Sequence, residues 1–88
     1  MNIKPAVMAN ILLAAARQSE DAGAYEVAIE LLEQALHKLE AAAGAKSMLL
    51  APVLSELSDC YEVTGRRLKA RQYRFRLRAI LTGGARAS

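Results

Sequence analysis

Arg67, Arg71, Arg74 and Arg78 recur at spacings of four, three and four residues, so a helix lines all four guanidiniums along one face. Such a row creates a local positive field suited to an anion or an acidic partner. The other candidate groups are sparse. His37 is the only histidine and Cys60 the only cysteine, with no sequence neighbour that would make either a nucleophilic pair. His37 reads as a solvated residue and Cys60 as a small core residue beside Tyr61. Glu26, Glu30 and Glu33 are spaced as a solvated helical stripe. There is no phosphate-cradling glycine loop and no zinc-ligand spacing. The expectation is a protein with no catalytic residues, no metal and no cofactor, working by binding.

Charge is divided unevenly along the 88 residues. The first 62 hold four Lys/Arg against nine Asp/Glu, and the last 26 hold eight Lys/Arg and no acid. The basic end, with Tyr73 and Phe75 interleaved among arginines and a chain pI near 9.4, makes nucleic acid or another polyanion the main alternative partner. Against it stand the acidic remainder and the lack of any helix-turn-helix or aromatic RNA-binding signature. A basic amphipathic last helix also suits an anionic membrane surface, a reading disfavoured here. No apolar run approaches the ~20 residues that span a bilayer. Lys4 followed by the alanine-rich residues 6–16 faintly resembles a short signal peptide. Asn10 interrupts that stretch, which serves better as a first helix. With a single cysteine, the expected compartment is the reducing cytoplasm.

Four helices position these residues. Ala and Leu dominate, β-branched residues are few, and 53% of residues are hydrophobic, which indicates an all-helical globular chain. The first helix is predicted from Pro5 to Asp21, ended by Gly23. The second runs from Ala24 to Ala43, with Tyr25, Ala28, Ile29, Leu32, Ala35, Leu36 and Leu39 on its apolar face, and Gly44 after it. The third lies between Met48 and Thr64. Its start is ambiguous, because Ser47 is the better cap whereas Pro52 belongs in a first turn. Leu54, Leu57 and Tyr61 form its rail, and Gly65 ends it. The fourth runs from Arg66 to Leu81, leaving 82–88 as a loose tail.

The second half echoes the first 42 positions later: Leu12 with Leu54, Gly23 with Gly65, Ala28 with Ala70, Leu39 with Leu81. Short turns at the two glycines make each helix pair an antiparallel hairpin. The chain thereby resembles the tetratricopeptide repeat family. The resemblance rests on Leu12, Ala15, Ala16, Gly23, Tyr25, Ala28, Leu32, Ala35 and Leu36 in repeat one. In repeat two it rests on Leu54, Leu57, Ser58, Tyr61, Gly65, Ala70 and Leu77. It covers residues 10–81, and the 42-residue period is similar to the longer-hairpin variant of kinesin light chains and many bacterial repeat proteins. The chain departs from the family pattern in having no Trp, Ser19 where an aromatic is usual, and no closing Pro. The resemblance implies a non-catalytic protein-binding scaffold, and the expected role is a small adaptor or chaperone-like subunit. The expected architecture is all-α, two antiparallel hairpins stacked as a short solenoid in a single domain over 1–81, with repeat one at 5–43 and repeat two at 48–81.

Two faces are rewritten between the repeats. Tyr25, Ile29, Leu32 and Leu36, expected to meet Leu50, Leu54 and Leu57 of the next hairpin, are answered by the four arginines. Guanidiniums are not buried unpaired, so the stack should end there. Conversely, Glu26, Glu33 and His37 are answered by Leu68, Phe75 and Ala79, which have no evident partner within the chain. Arg67, Arg71, Arg74 and Arg78 flank this patch on one side, Lys69 and Arg76 on the other. Ala70, Tyr73, Leu77, Ile80 and Leu81 are assigned to the intrachain side. The patch is the favoured protein-binding surface. The resemblance also implies a shallow ligand groove along the first helices, at Asn10, Leu13, Arg17, Ser55 and Asp59. Val7, Leu13 and Ala14 are expected to point away from the second helix. The expected partner is another protein, acidic in character, or a second copy whose basic helix meets the acidic stripe Glu26, Glu30, Glu33 and Glu40 head to tail.

Overall fold

A computed structural model describes residues 4–83. It contains α1 (Pro5–Asp21), α2 (Tyr25–Ala43), a 3-10 turn (Met48–Leu50), α3 (Ala51–Val63) and α4 (Arg67–Gly83). Helix α1 packs on α2, α3 on α4, and the two hairpins stack through α2 against α3. No helix among the described residues is long and apolar enough to cross a membrane.

The 42-residue echo extends to the backbone. At the first turn Gly23 donates to the Glu20 carbonyl (2.9 Å) and Ala24 to that of Ser19 (2.8 Å). At the second, Gly65 donates to Glu62 (3.0 Å) and Arg66 to Tyr61 (2.8 Å). Both glycines sit at φ +79°, in the left-handed region where a side chain is strained, so this closing geometry selects glycine. Between the hairpins both competing start signals are used. The Ser47 hydroxyl accepts from the Leu49 amide (3.1 Å) and caps the 3-10 turn, and Pro52 then stands in the first turn of α3.

Small residues set the close approaches: Ala16, Ala28, Ala35 and Ala70 are fully buried. Leu32, Leu50, Leu54, Leu57 and Cys60 fill the centre, and Ile29 and Leu36 join them, as the spacing requires. Three expectations change. Leu13 points into the core (8% exposed) instead of lining an open groove. It lines a small cleft of about 90 Å³ with Leu39, Leu49, Pro52 and Val53. Leu81 is 54% exposed and Ile80 takes the buried place. Helix α4 has 17 residues and α3 only 13, so the last turn of α4 extends past its partner. Helix α4 also continues through Thr82 and Gly83, beyond its expected end at Leu81; the remainder of the expected tail lies outside the described residues.

Leu54, fully buried between the hairpins, is the most direct probe of this seam. Leu54→Ala is expected to lower unfolding stability by about 2–5 kcal/mol, measured by urea denaturation.

Candidate protein-binding surface

Helix α4 is anchored by Ala70, Tyr73 and Ile80, all buried, with Leu77 half-buried. The Tyr73 ring stacks on Tyr61 of α3, with centroids 5.7 Å apart and planes within 10°. Both phenols donate to one carboxylate, Glu33 of α2: Tyr61 at 2.9 Å to Oε2, Tyr73 at 2.7 Å to Oε2 and 2.9 Å to Oε1. Burial, then the hydrogen bond to Glu33, raises both phenol pKa values, that of Tyr61 to about 12. The Arg66 guanidinium lies over the Tyr61 ring, 5.1 Å from its centroid, and Lys69 Nζ over that of Tyr73 at 5.7 Å, so cations sit against the rings.

This network corrects the expectation of a free acidic stripe. Glu33 is half-buried, Glu26 pairs with Arg66, and Glu40 pairs with Arg76. Of the stripe only Glu30 has no cation or hydroxyl partner among the described residues. The long arginine side chains of the second hairpin reach back across the seam, which helix periodicity alone does not reveal. Of the two cations expected to flank the binding patch on its other side, Arg76 turns to Glu40 of the first hairpin and Lys69 lies over the Tyr61 and Tyr73 rings of its own hairpin.

Opposite the anchored side, α4 presents Leu68 (69% exposed) and Phe75 (75% exposed), with exposed Ala79 on the same row. Arg67, Arg71, Arg74 and Arg78 run beside them, all exposed. Arg74 lies 3.5 Å from Glu62 of α3, and the other three have no carboxylate partner among the described residues. An exposed pair such as Arg74–Glu62 contributes little, so the row stays available to an incoming anion. Leu68, Phe75 and Ala79 are therefore exposed and bordered on one flank by four guanidiniums.

The groove residues are less coherent. Asn10 and Asp59 are exposed and Ser55 is half-buried. Arg17 reaches Glu56 at 3.3 Å and ties α1 to α3 where a ligand would lie. His37 is exposed beside Pro5, Met8, Lys38 and Ala41 at a shallow cleft. Cys60 is buried, and burial, followed by the charge of Glu20, pushes its thiol up to about 12. It carries no reactive thiolate at neutral pH.

Glu20, at the C-terminal end of α1, was not singled out by sequence. Its Oε2 is buried without a hydrogen-bond partner among the described residues. Burial first, and then Glu56, raises its pKa from 4.5 to about 7. Nothing in the one-dimensional spacing brings Glu20 to Glu56; only the crossing of α1 over α3 does.

Comparisons with protein-family models, with curated proteins and with solved structures return no match to this chain.

Two outcomes follow from these carboxylates. Glu33→Ala leaves two phenols without their acceptor and is expected to cost about 1–3 kcal/mol in urea unfolding. Glu20 binds its proton more tightly folded than unfolded, so its contribution is fully present below about pH 4.5. Stability should therefore fall as pH rises from 4.5 toward 7. Glu20→Gln should flatten that slope in thermal unfolding followed across this range.

Proposed function

We propose that this chain is a protein–protein interaction module, a small adaptor of tetratricopeptide-like build that binds an acidic protein partner along the outer face of α4. The observation that carries the reading is Phe75, three-quarters exposed on an ordered helix beside a row of arginines. A large aromatic surrounded by charged residues has the make-up of a binding anchor, with the rim supplying selectivity. The leucine at position 68 extends the anchor by two helical turns. The row beside it favours Glu and Asp at matching spacing on the partner.

A non-catalytic role is supported by the buried, high-pKa thiol of Cys60 and by an isolated, exposed His37. The reduced thiol fits a cytoplasmic setting. Polyanion binding is the second reading, favoured by the three guanidiniums of Arg67, Arg71 and Arg78 that lack carboxylate partners among the described residues.

Fluorescence anisotropy separates the two. A labelled acidic amphipathic peptide should bind, and Phe75→Glu should weaken it at least tenfold while circular dichroism stays unchanged. Tight binding of duplex or single-stranded nucleic acid, steeply salt-dependent and indifferent to Phe75→Glu, would overturn the protein-binding reading.

A further inference from the structure

Helix α4 carries two seams. On the inner side Ala70, Tyr73, Leu77 and Ile80 recur at three, four and three residues and pack into the core. On the outer side Leu68, Gln72, Phe75, Ala79 and Thr82 recur at four, three, four and three, and all five are exposed. This is the spacing at which one helix receives the side chains of another. The Thr82 hydroxyl donates to the Arg78 carbonyl at 2.8 Å, so it needs no acceptor from a partner.

The outer seam is charged along one border. Each residue of the arginine row immediately precedes a seam residue: Arg67 before Leu68, Arg71 before Gln72, Arg74 before Phe75 and Arg78 before Ala79. On the other border Arg76 is paired with Glu40, and Lys69 lies over the rings of Tyr61 and Tyr73. The guanidiniums without a carboxylate partner among the described residues therefore stand on a single side.

Resting on the reading of this face as a protein-binding surface, we propose that its partner is one α-helix of another protein. The helix, about four turns long, lies along the seam with its carboxylates confined to the border that meets the arginine row.

Length selects a helix over an extended segment. From Leu68 to Thr82 the seam rises about 21 Å. Five side chains on one face of an extended strand need about 26 Å, so they drift out of step by roughly one position. A facing helix keeps step throughout. Charge selects a foreign helix. The α4 of a second copy would set arginine against arginine, and the α2 carboxylates Glu26, Glu33 and Glu40 are engaged within the chain. Carboxylates spaced four, three and four residues along one border of the partner meet the row. On its opposite border they would find no unpaired guanidinium.

Fluorescence anisotropy on the intact chain, with three labelled peptides of matched length and charge, tests the inference. The first is a stapled helix with apolar residues at the seam spacing and Glu along one border. The second carries two internal prolines that break the helix. The third is stapled, with its Glu residues moved to the back. The first should bind at least about tenfold tighter than either of the others. Arg71→Gln with Arg78→Gln should erase its advantage over the third. Equal binding of the proline peptide, or indifference to where Glu stands, overturns the inference; if Phe75→Glu still weakens that binding, the surface itself stands. Failure of the first peptide to bind, or binding that ignores Phe75→Glu, overturns both. Sedimentation equilibrium showing a dimer abolished by Phe75→Glu makes a second copy the occupant and overturns the inference as well.

Discussion

The seam between α2 and α3 carries the fully buried Leu32, Leu54 and Leu57, and at its edge one carboxylate, Glu33, receives two phenols from the other hairpin. A helical hairpin cannot bury both of its sides alone, and at 88 residues a single core is only marginally sufficient. The stack therefore depends on this one interface. Its apolar part supplies the area, and its polar edge fixes the position of α4 through Tyr73. The outward presentation of Phe75 follows, because turning Tyr73 and Ala70 inward directs positions 68, 75 and 79 to the far side.

The interface also accounts for the division of charge. Arg66 and Arg76 return to Glu26 and Glu40 of the first hairpin, and Lys69 covers the tyrosine rings. The basic end of the chain is thus not one uniform field. Part of it is neutralised across the seam, and part, from Arg67 to Arg78, remains in solvent at the end of the stack. On the proposed reading, a partner meets only the second part. The two ends consequently differ in kind: one is cationic, the other largely apolar.

Much of this was readable in the residues. Pro5, Gly23, Gly44 and Gly65 mark helix ends because each carries a backbone conformation that few alternatives share. The apolar row of α2 and the exposure of Leu68 and Phe75 follow from helical angle alone. Overlap between helices did not. Leu81 repeats Leu39 in register, yet it overhangs because α3 begins with a 3-10 turn and is short. Leu13 sits on a plausible groove by angle and is covered by a helix about 40 residues away. The Glu33–Tyr61–Tyr73 group joins three helices, and its traces in the sequence are Tyr61 and Tyr73 where the first repeat has Ser19 and Leu31. A phenol in an apolar stripe requires an acceptor, but which one is a matter of tertiary position.

The central claim is that recognition occurs on the outer face of α4 and not in a groove along α1 and α3. Backbone amide shifts recorded by NMR while an acidic amphipathic peptide is added test it directly. The account predicts perturbations concentrated at Leu68, Phe75 and Ala79 and at the flanking Arg67, Arg71, Arg74 and Arg78. Perturbations centred on Asn10, Arg17, Ser55 and Asp59, with α4 unmoved, would contradict it.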